Sequence, residues 1–213
     1  MSAPRTTIGA GVTFQAQMRT PFATLGIATD GRAVTRVAYL APSEPDAPPA
    51  DAIAERAVRE LVRYLDDPAS RFTVPLAPTG TPFRRRVWDA ILAIPAGESR
   101  TYGDLARRLV TAARAVGQAC GANPIALIIP CHRVVGSLGA LGGFMGTAGT
   151  FAPSSVCDLF AKSGPDPAFA GSLSAGAGDR GSKPASDPEF ADPRFAAAIK
   201  RWLLTHEGYR FGR

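Results

Sequence analysis

The sequence predicts a mixed fold (α/β, of the α+β kind): an N-terminal strand-and-helix domain, then a mainly helical domain with a helix-turn-helix and a buried cysteine. Three observations predict it. Asp30-Gly31 stands between two apolar-rich runs, residues 22–28 and 33–40, as in a β-hairpin. Apolar residues recur at three-to-four spacing over residues 51–67, 81–92 and 193–206, as in amphipathic helices. A buried-type run, residues 125–129, ends at Pro130 and delivers Cys131 and His132 to the edge of a core.

Composition narrows the classes. At 213 residues, with 46% hydrophobic and 20% charged residues, the chain is long enough for a real core. No apolar run approaches the ~20 residues needed to span a bilayer, so no membrane partner is expected. The N-terminus carries no apolar signal core, so a cytoplasmic location is expected. The bias to alanine, arginine, glycine and proline reads as bacterial coding. Three cysteines without paired spacing argue against a disulfide framework. Two histidines and no C-x-x-C or H-x-x-x-H pattern argue against a protein-held metal. A net charge of +6 is compatible with a polyanionic partner. Nearly all the cations are arginine; the lysines are Lys162, Lys183 and Lys200.

Taken in order, residues 1–10 read as frayed and residues 12–39 as strands, with Asp30-Gly31 as a two-residue turn whose members both need positive φ. Residues 41–50, rich in proline and acid, read as a surface loop. Residues 51–67 form a helix with Ile53, Ala57, Val58, Leu61, Val62 and Leu65 inward, stopped by Pro68. The arginines and glutamates of the other face read as solvated. Residues 71–76 are extended. No reactive cluster lies in residues 1–80, which read as a scaffold domain.

Thr81-Pro82 supplies an N-cap and a first-turn proline. The helix that follows turns Phe83, Val87, Trp88, Ile91 and Leu92 inward and ends at Pro95-Ala96-Gly97. Arg84, Arg85 and Arg86 at its start read as a solvated basic face, with phosphate contact as the alternative. Thr101 caps a helix with Asp104 in capping-box spacing. A second short helix runs from about residue 111 to 120, with Gly121 as its stop. Two short helices with a tight connection make a helix-turn-helix pattern, which many proteins that never touch DNA also carry. Small residues surround Arg114 on the second helix, suited to close packing against either a groove or another helix.

Asn123-Pro124 marks a turn, and residues 125–129 read as a buried strand of about four to six residues. Cys131 is either an inert core thiol or a nucleophile, which must be a thiolate and therefore needs a base or a helix N-terminus nearby. Residues 136–146 contain five glycines in eleven positions, a loop able to bring backbone N–H groups near a ligand. In the stretch 147–192, residues 153–162 read as one helical turn or two, with Val156, Leu159 and Phe160 apolar, and residues 163–192, Gly, Ala, Ser, Pro and Asp with little else, read as disordered or a mobile loop. Cys157 reads as a free thiol. Asp192-Pro193 opens the last helix, with Phe195, Ile199, Trp202 and Leu203 inward and Gly208 as the stop.

These residues resemble the O6-alkylguanine-DNA alkyltransferase family. Asn123-Pro124 followed by Ile128-Ile129-Pro130-Cys131-His132-Arg133-Val134-Val135 looks like that family's active-site signature. Thr101-Tyr102-Gly103-Asp104-Leu105-Ala106, Ala113-Arg114-Ala115-Val116-Gly117, Gly142-Gly143 and Trp202 to Gly208 follow the family's order. The resemblance is close over residues 81–146 and 199–213, loose over 1–80 and absent over 147–192. It implies a DNA-binding and alkyl-transfer domain over residues 81–213 that carries the insertion.

The resemblance also implies roles. An alkyl group passes from O6 of guanine to Cys131, once per molecule, with no cofactor, in a monomer. His132 takes the thiol proton through a water, and Glu207 orients and charges the imidazole. Tyr102 donates to the leaving guanine, and Asn123 ties the turn before the cysteine. The partner is alkylated double-stranded DNA approached from the minor groove. Arg114 fills the gap left by the flipped guanine, with Ala113, Ala115, Gly117 and Thr101 on the DNA-facing surface. Val134, Phe144 and Met145 line the base pocket. Phe144 and Met145 depart from the tyrosine and small polar residue common there, which makes the pocket more apolar. The alternatives are a non-catalytic lesion-binding protein of the same fold, a cysteine hydrolase and a regulatory DNA-binding protein. Against the hydrolase, adjacent residues on an extended segment point to opposite faces, which makes a direct Cys131–His132 bond awkward.

Overall fold

The computed structural model describes residues 7–8, 12–40, 45–141 and 193–211. Short strands β1 (Thr7–Ile8) and β2 (Val12–Thr13) pair antiparallel, so part of the stretch expected to fray is held by backbone pairing. Strands β3 (Ala16–Arg19), β4 (Thr24–Thr29) and β5 (Val34–Leu40) form an antiparallel sheet in that order. The hairpin at Asp30-Gly31 forms, but not as a two-residue turn. Thr29 pairs with Val34, leaving a four-residue loop in which only Gly31 has positive φ, +81°. The Asp30 carboxylate explains the difference: it accepts from the backbone N–H of Arg32 at 2.9 Å and of Ala33 at 2.8 Å, an Asx-type turn. The proline-rich loop is also less detached than expected, because Ala47 exchanges backbone hydrogen bonds with Gln17 of β3.

Helix α1 (Ala52–Asp66) lies on this sheet. Its N-cap is Asp51, whose carboxylate accepts from Ala54 N–H at 2.8 Å. Ala54, Ala57, Leu61 and Tyr64 are buried, whereas Val62, expected inside, is 44% exposed. Glu60, expected in solvent, is buried. It accepts from Thr73 N–H at 2.7 Å, Thr73 Oγ1 at 2.6 Å, Val74 N–H at 2.9 Å and Arg56 Nε at 3.0 Å. Periodicity placed Val62 and Glu60 near the boundary of the stripe, and the extended segment after the helix decided between them by supplying donors. Burial works to raise the Glu60 pKa, but these hydrogen bonds hold it down to about 2.

Helix α2 (Pro82–Leu92) starts as expected, Thr81 accepting from Arg84 N–H. Val87, Trp88, Ala90 and Ile91 are buried; Leu92, at the end of the stripe, is 42% exposed. Trp88 Nε1 donates to Ala119 O at 2.9 Å and so ties α2 to α4. Strand β6 (Arg100–Thr101) leads into α3 (Tyr102–Leu109), whose capping box between Thr101 and Asp104 is complete. Val110 turns the chain in the left-handed region, φ +52°, into α4 (Ala113–Gly121), which takes in the glycine expected as its stop.

The run at residues 125–129 is buried as expected but is not a strand. Only Ile125 bridges the sheet, at Val37, and a turn follows in which Leu127 has φ +68°. Cys131–Arg133 form a 3₁₀ turn leading into β7 (Val134–Val135), which pairs parallel with β6. An apolar run of this length is equally compatible with a buried strand and a buried coil. The argument that Cys131 and His132 point to opposite faces of an extended segment therefore loses its premise. Helix α5 (Pro193–His206) closes the fold. One apolar core runs through Leu25, Val37, Leu61, Trp88, Ile125 and Leu203, joining sheet, helices and cysteine turn. No helix among the described residues is long and apolar enough to cross a membrane.

Candidate active site

Asn123 shapes the turn that carries the cysteine. Its Oδ1 accepts from Ile125 N–H at 3.0 Å, and its Nδ2 donates to Ile129 O at 2.9 Å, so one side chain clips both ends of the loop. The same Nδ2 lies 3.4 Å from Cys131 Sγ and donates to it. Cys131 is 4% exposed. Burial pushes its thiol pKa up, while Asn123, Lys200 and local backbone N–H groups pull it back.

His132 is fully buried. Its Nε2 lies 2.9 Å from Glu207 Oε1, after the end of α5. Glu207 also receives Arg133 in a two-pronged pair, Nε to Oε2 at 2.9 Å and Nη2 to Oε1 at 2.8 Å. Burial opposes its charge, yet His132 and Arg133 hold its pKa well below the usual carboxylate range. Glu207 is thus an ionised acceptor, and the hydrogen on the imidazole belongs on Nε2. Burial keeps His132 neutral, lowering its pKa against the pull of Glu207. Its Nδ1 then presents a bare lone pair, and it is buried with no hydrogen-bond partner among the described residues. Such an imidazole, one nitrogen anchored on a carboxylate, has its other nitrogen available to accept a proton.

The other expected residues are placed as follows where they are described. Val134 is buried just after the cysteine turn, and its carbonyl accepts from Lys200 Nζ at 2.6 Å. Tyr102 opens α3, its pKa raised by burial and then by the facing thiols Cys120 and Cys131. Gly117 of α4 sits beside the Tyr102 ring, where an added Cβ would be 3.9 Å from it. Ala113 and Arg114 are exposed at the start of α4, with Ala115 half-buried. The Thr101 hydroxyl is engaged with Asp104 in the cap. Phe144, Met145, Gly142-Gly143 and the segment 147–192 lie outside the described residues.

Three members of the centre were not assigned a part from sequence. Arg133 was read only as a letter of the motif, although an arginine beside a buried carboxylate–imidazole pair is the expected counter-charge. Tyr64 lies on the same helical stripe as Ala57 and Leu61, and its hydroxyl donates to Glu207 Oε1 at 2.7 Å. Lys200 is fully buried; it donates to the carbonyls of Val134 and Leu141 and lies 5.8 Å from the centroid of the Tyr102 ring. Burial lowers its pKa to about 8. The clue was present: Lys200 falls on the stripe of Ala196, Ile199 and Leu203, in a chain whose cations are almost all arginine. No group of three or more metal-ligating side chains occurs among the described residues.

Residues 82–152 match the family model described as the 6-O-methylguanine DNA methyltransferase DNA-binding domain. A methylated-DNA–protein-cysteine methyltransferase from Methanosarcina acetivorans is 49% identical over 90 residues, which is 41% of this chain. The match spans only 58% of that relative's length. The protein of that name from Mycobacterium bovis is 42% identical over 132 residues, 59% of this chain and 80% of the relative. Among solved structures, that of Mycobacterium tuberculosis OGT in complex with DNA aligns with TM-score 0.54 and 39% identity, covering 61% of this chain and 82% of that one. An identity of 42% across four-fifths of a relative, with the cysteine, histidine and glutamate assembled in one buried centre, carries the conclusion: this chain belongs to the methylated-DNA–protein-cysteine methyltransferase family.

Proposed function

We propose that the protein repairs DNA by moving an alkyl group, methyl in the simplest case, from O6 of guanine to Cys131 Sγ, once per molecule. The observation that carries this reading is the buried His132, anchored through Nε2 on Glu207 with Nδ1 open, next in sequence to a buried thiol. The thiol proton passes through a water to Nδ1. The S–C bond forms as the C–O6 bond breaks, and the Tyr102 hydroxyl donates a hydrogen bond to the guanine anion as it leaves. That anion takes its proton from water while His132 returns its own to solvent. Glu207, fixed by Arg133, stabilises the imidazolium. The product is a thioether, with no acyl carbon for water to attack, so the chemistry needs no cofactor and gives no turnover. A reducing cytoplasm suits a reaction that consumes a free thiol.

A guanine stacked in a duplex cannot reach a buried sulfur, so the nucleotide leaves the stack, at a cost of a few kcal/mol. The exposed Arg114 at the tip of α4 is the proposed occupant of the gap, entering from the minor groove with Ala113 and Ala115 keeping the approach close. Val134, Phe144 and Met145 are the proposed base contacts. DNA as partner is supported by the M. tuberculosis relative, which was solved with DNA. In this reading residues 1–80 serve as scaffold, residues 81–213 bind and react, and the protein acts as a monomer.

The test is intact-protein mass spectrometry after incubation with a duplex containing O6-methylguanine, beside a Cys131→Ala control. A gain that stops at one methyl per molecule and is absent in the control is the expected result. No gain with DNA binding retained would overturn transfer and favour a lesion-binding protein, whereas a gain that persists in the control would overturn Cys131 as the acceptor.

A further inference from the structure

Tyr64 belongs to α1, in the part of the chain read as scaffold, yet it reaches the centre across 143 residues of sequence. Its side chain is 1% exposed, and its hydroxyl lies 2.7 Å from Glu207 Oε1. That oxygen already receives His132 Nε2 at 2.9 Å and Arg133 Nη2 at 2.8 Å, while Arg133 Nε takes Oε2 at 2.9 Å. The phenol is held in place independently of the carboxylate. Its ring packs on Phe72 and meets His206 edge-on, with centroids 5.5 and 5.6 Å apart, and its backbone carbonyl accepts from His206 Nε2 at 3.0 Å. Burial and the charge of Glu207 both raise its pKa, so it remains a phenol and a donor.

We propose that Tyr64 is a positioning residue for alkyl transfer: its hydroxyl completes the donor set of Glu207 and thereby sets the orientation and basicity of the carboxylate that holds His132. The proposal rests on the alkyl-transfer reading above. Three donors on one carboxylate oxygen share its charge, so each hydrogen bond is weaker than it would be with two. Removing the phenol O–H leaves more charge on Oε1 for His132. The imidazole is then held by a stronger hydrogen bond, and its protonated form is favoured. The other groups facing this carboxylate and imidazole do not take over that part. Arg133 already uses its guanidinium on both oxygens, and Lys200 of α5 is bonded to carbonyls. Tyr39 of β5 and Cys131 face the site as neutral groups whose own pKa values burial raises.

The experiment compares full-length wild type, Tyr64→Phe, and a protein with 3-fluorotyrosine at position 64, whose more acidic phenol is a stronger donor. The first readout is the proton resonance of His132 Nε2–H at neutral pH, which needs no DNA. Tyr64→Phe is expected to move it downfield and fluorotyrosine upfield. The second is the pH profile of single-turnover methyl transfer, where Tyr64→Phe is expected to lower the rate on the order of tenfold and to displace the profile. An Nε2–H resonance that does not move in either variant overturns the proposal, even if the rate falls, because a merely structural role lowers the rate without retuning the imidazole. Should Tyr64→Phe fail to fold, the fluorotyrosine protein alone decides by the upfield shift or its absence. If wild type transfers no methyl, the alkyl-transfer reading fails, while the resonance still judges whether Tyr64 sets the Glu207–His132 bond.

Discussion

At the scale of single residues, the site works by pairing each buried charge with a stated partner. Glu207 would be costly to bury alone; Arg133, His132 and Tyr64 surround it, so it remains ionised. Lys200, fully buried and bonded to the carbonyls of Val134 and Leu141, lowers the pKa of Cys131. Lys200→Met keeps the length and removes the charge. Alkylation of Cys131 by iodoacetamide is expected to slow about three- to tenfold near neutral pH, with its pH midpoint moved upward; an unchanged midpoint would show that the thiol does not feel this ammonium. Glu60 makes a second, purely structural prediction. Its folded pKa, about 2, lies below the ordinary 4.5. Its contribution is therefore complete above pH 4.5 and is lost as pH falls through about 2. Glu60→Gln is expected to lower stability by roughly 2–3 kcal/mol at pH 7 and by much less near pH 2, measured by urea denaturation at both values.

At the scale of elements, caps and turns decide where helices begin and how closely they pack. Gly80 precedes the Thr81 cap, and a Cβ there would lie 2.5 and 2.7 Å from atoms of the Trp88 ring. Trp88 cannot retreat, being 1% exposed and bonded to Ala119 O. Gly80→Ala is expected to cost about 1–3 kcal/mol, read as a lower melting temperature. Val110 works in the opposite sense. It is β-branched, holds φ +52° and is 93% exposed, so it carries backbone strain with no packing in return. Val110→Gly is expected to stabilise the fold by about 1 kcal/mol, and a lower melting temperature would count against strain at this turn. The tight α3–α4 connection was visible in sequence as a change of pattern, but its left-handed residue was not, because valine gives no warning of positive φ.

At the scale of the whole molecule, the sheet and the cysteine turn are joined through backbone as well as side chains. Val37 N–H donates to Pro124 O at 3.0 Å, and Ala126 N–H donates to Val37 O at 3.1 Å. Tyr64 and Glu207 make a third tie, and the apolar core is continuous across residue 80. Residues 1–80 and the rest are therefore expected to unfold together, in one transition. Far-ultraviolet circular dichroism and tryptophan fluorescence should give the same denaturation midpoint, and two separated midpoints would show that the halves are independent.

The sequence by itself determined the local elements and the chemistry. Caps at Thr81 and Thr101, the three-to-four stripes of the helices and the Asn123-to-Val135 motif are all short-range patterns, and each is written within a few neighbouring residues. The motif singled out Cys131 and His132 before any coordinates, and the family resemblance added Glu207. Only the tertiary structure decided the rest. It made residues 126–129 a turn rather than a strand, because Asn123 clips that loop at both ends. It buried Glu60 and exposed Val62, because the segment carrying Thr73 and Val74 brings its donors to one side of α1. It added Tyr64, Arg133 and Lys200 to the centre, because a polar atom on an apolar stripe acquires its role from a partner distant in sequence. Periodicity records which side of an element faces inward; the partner waiting there is set by the packing of the other elements.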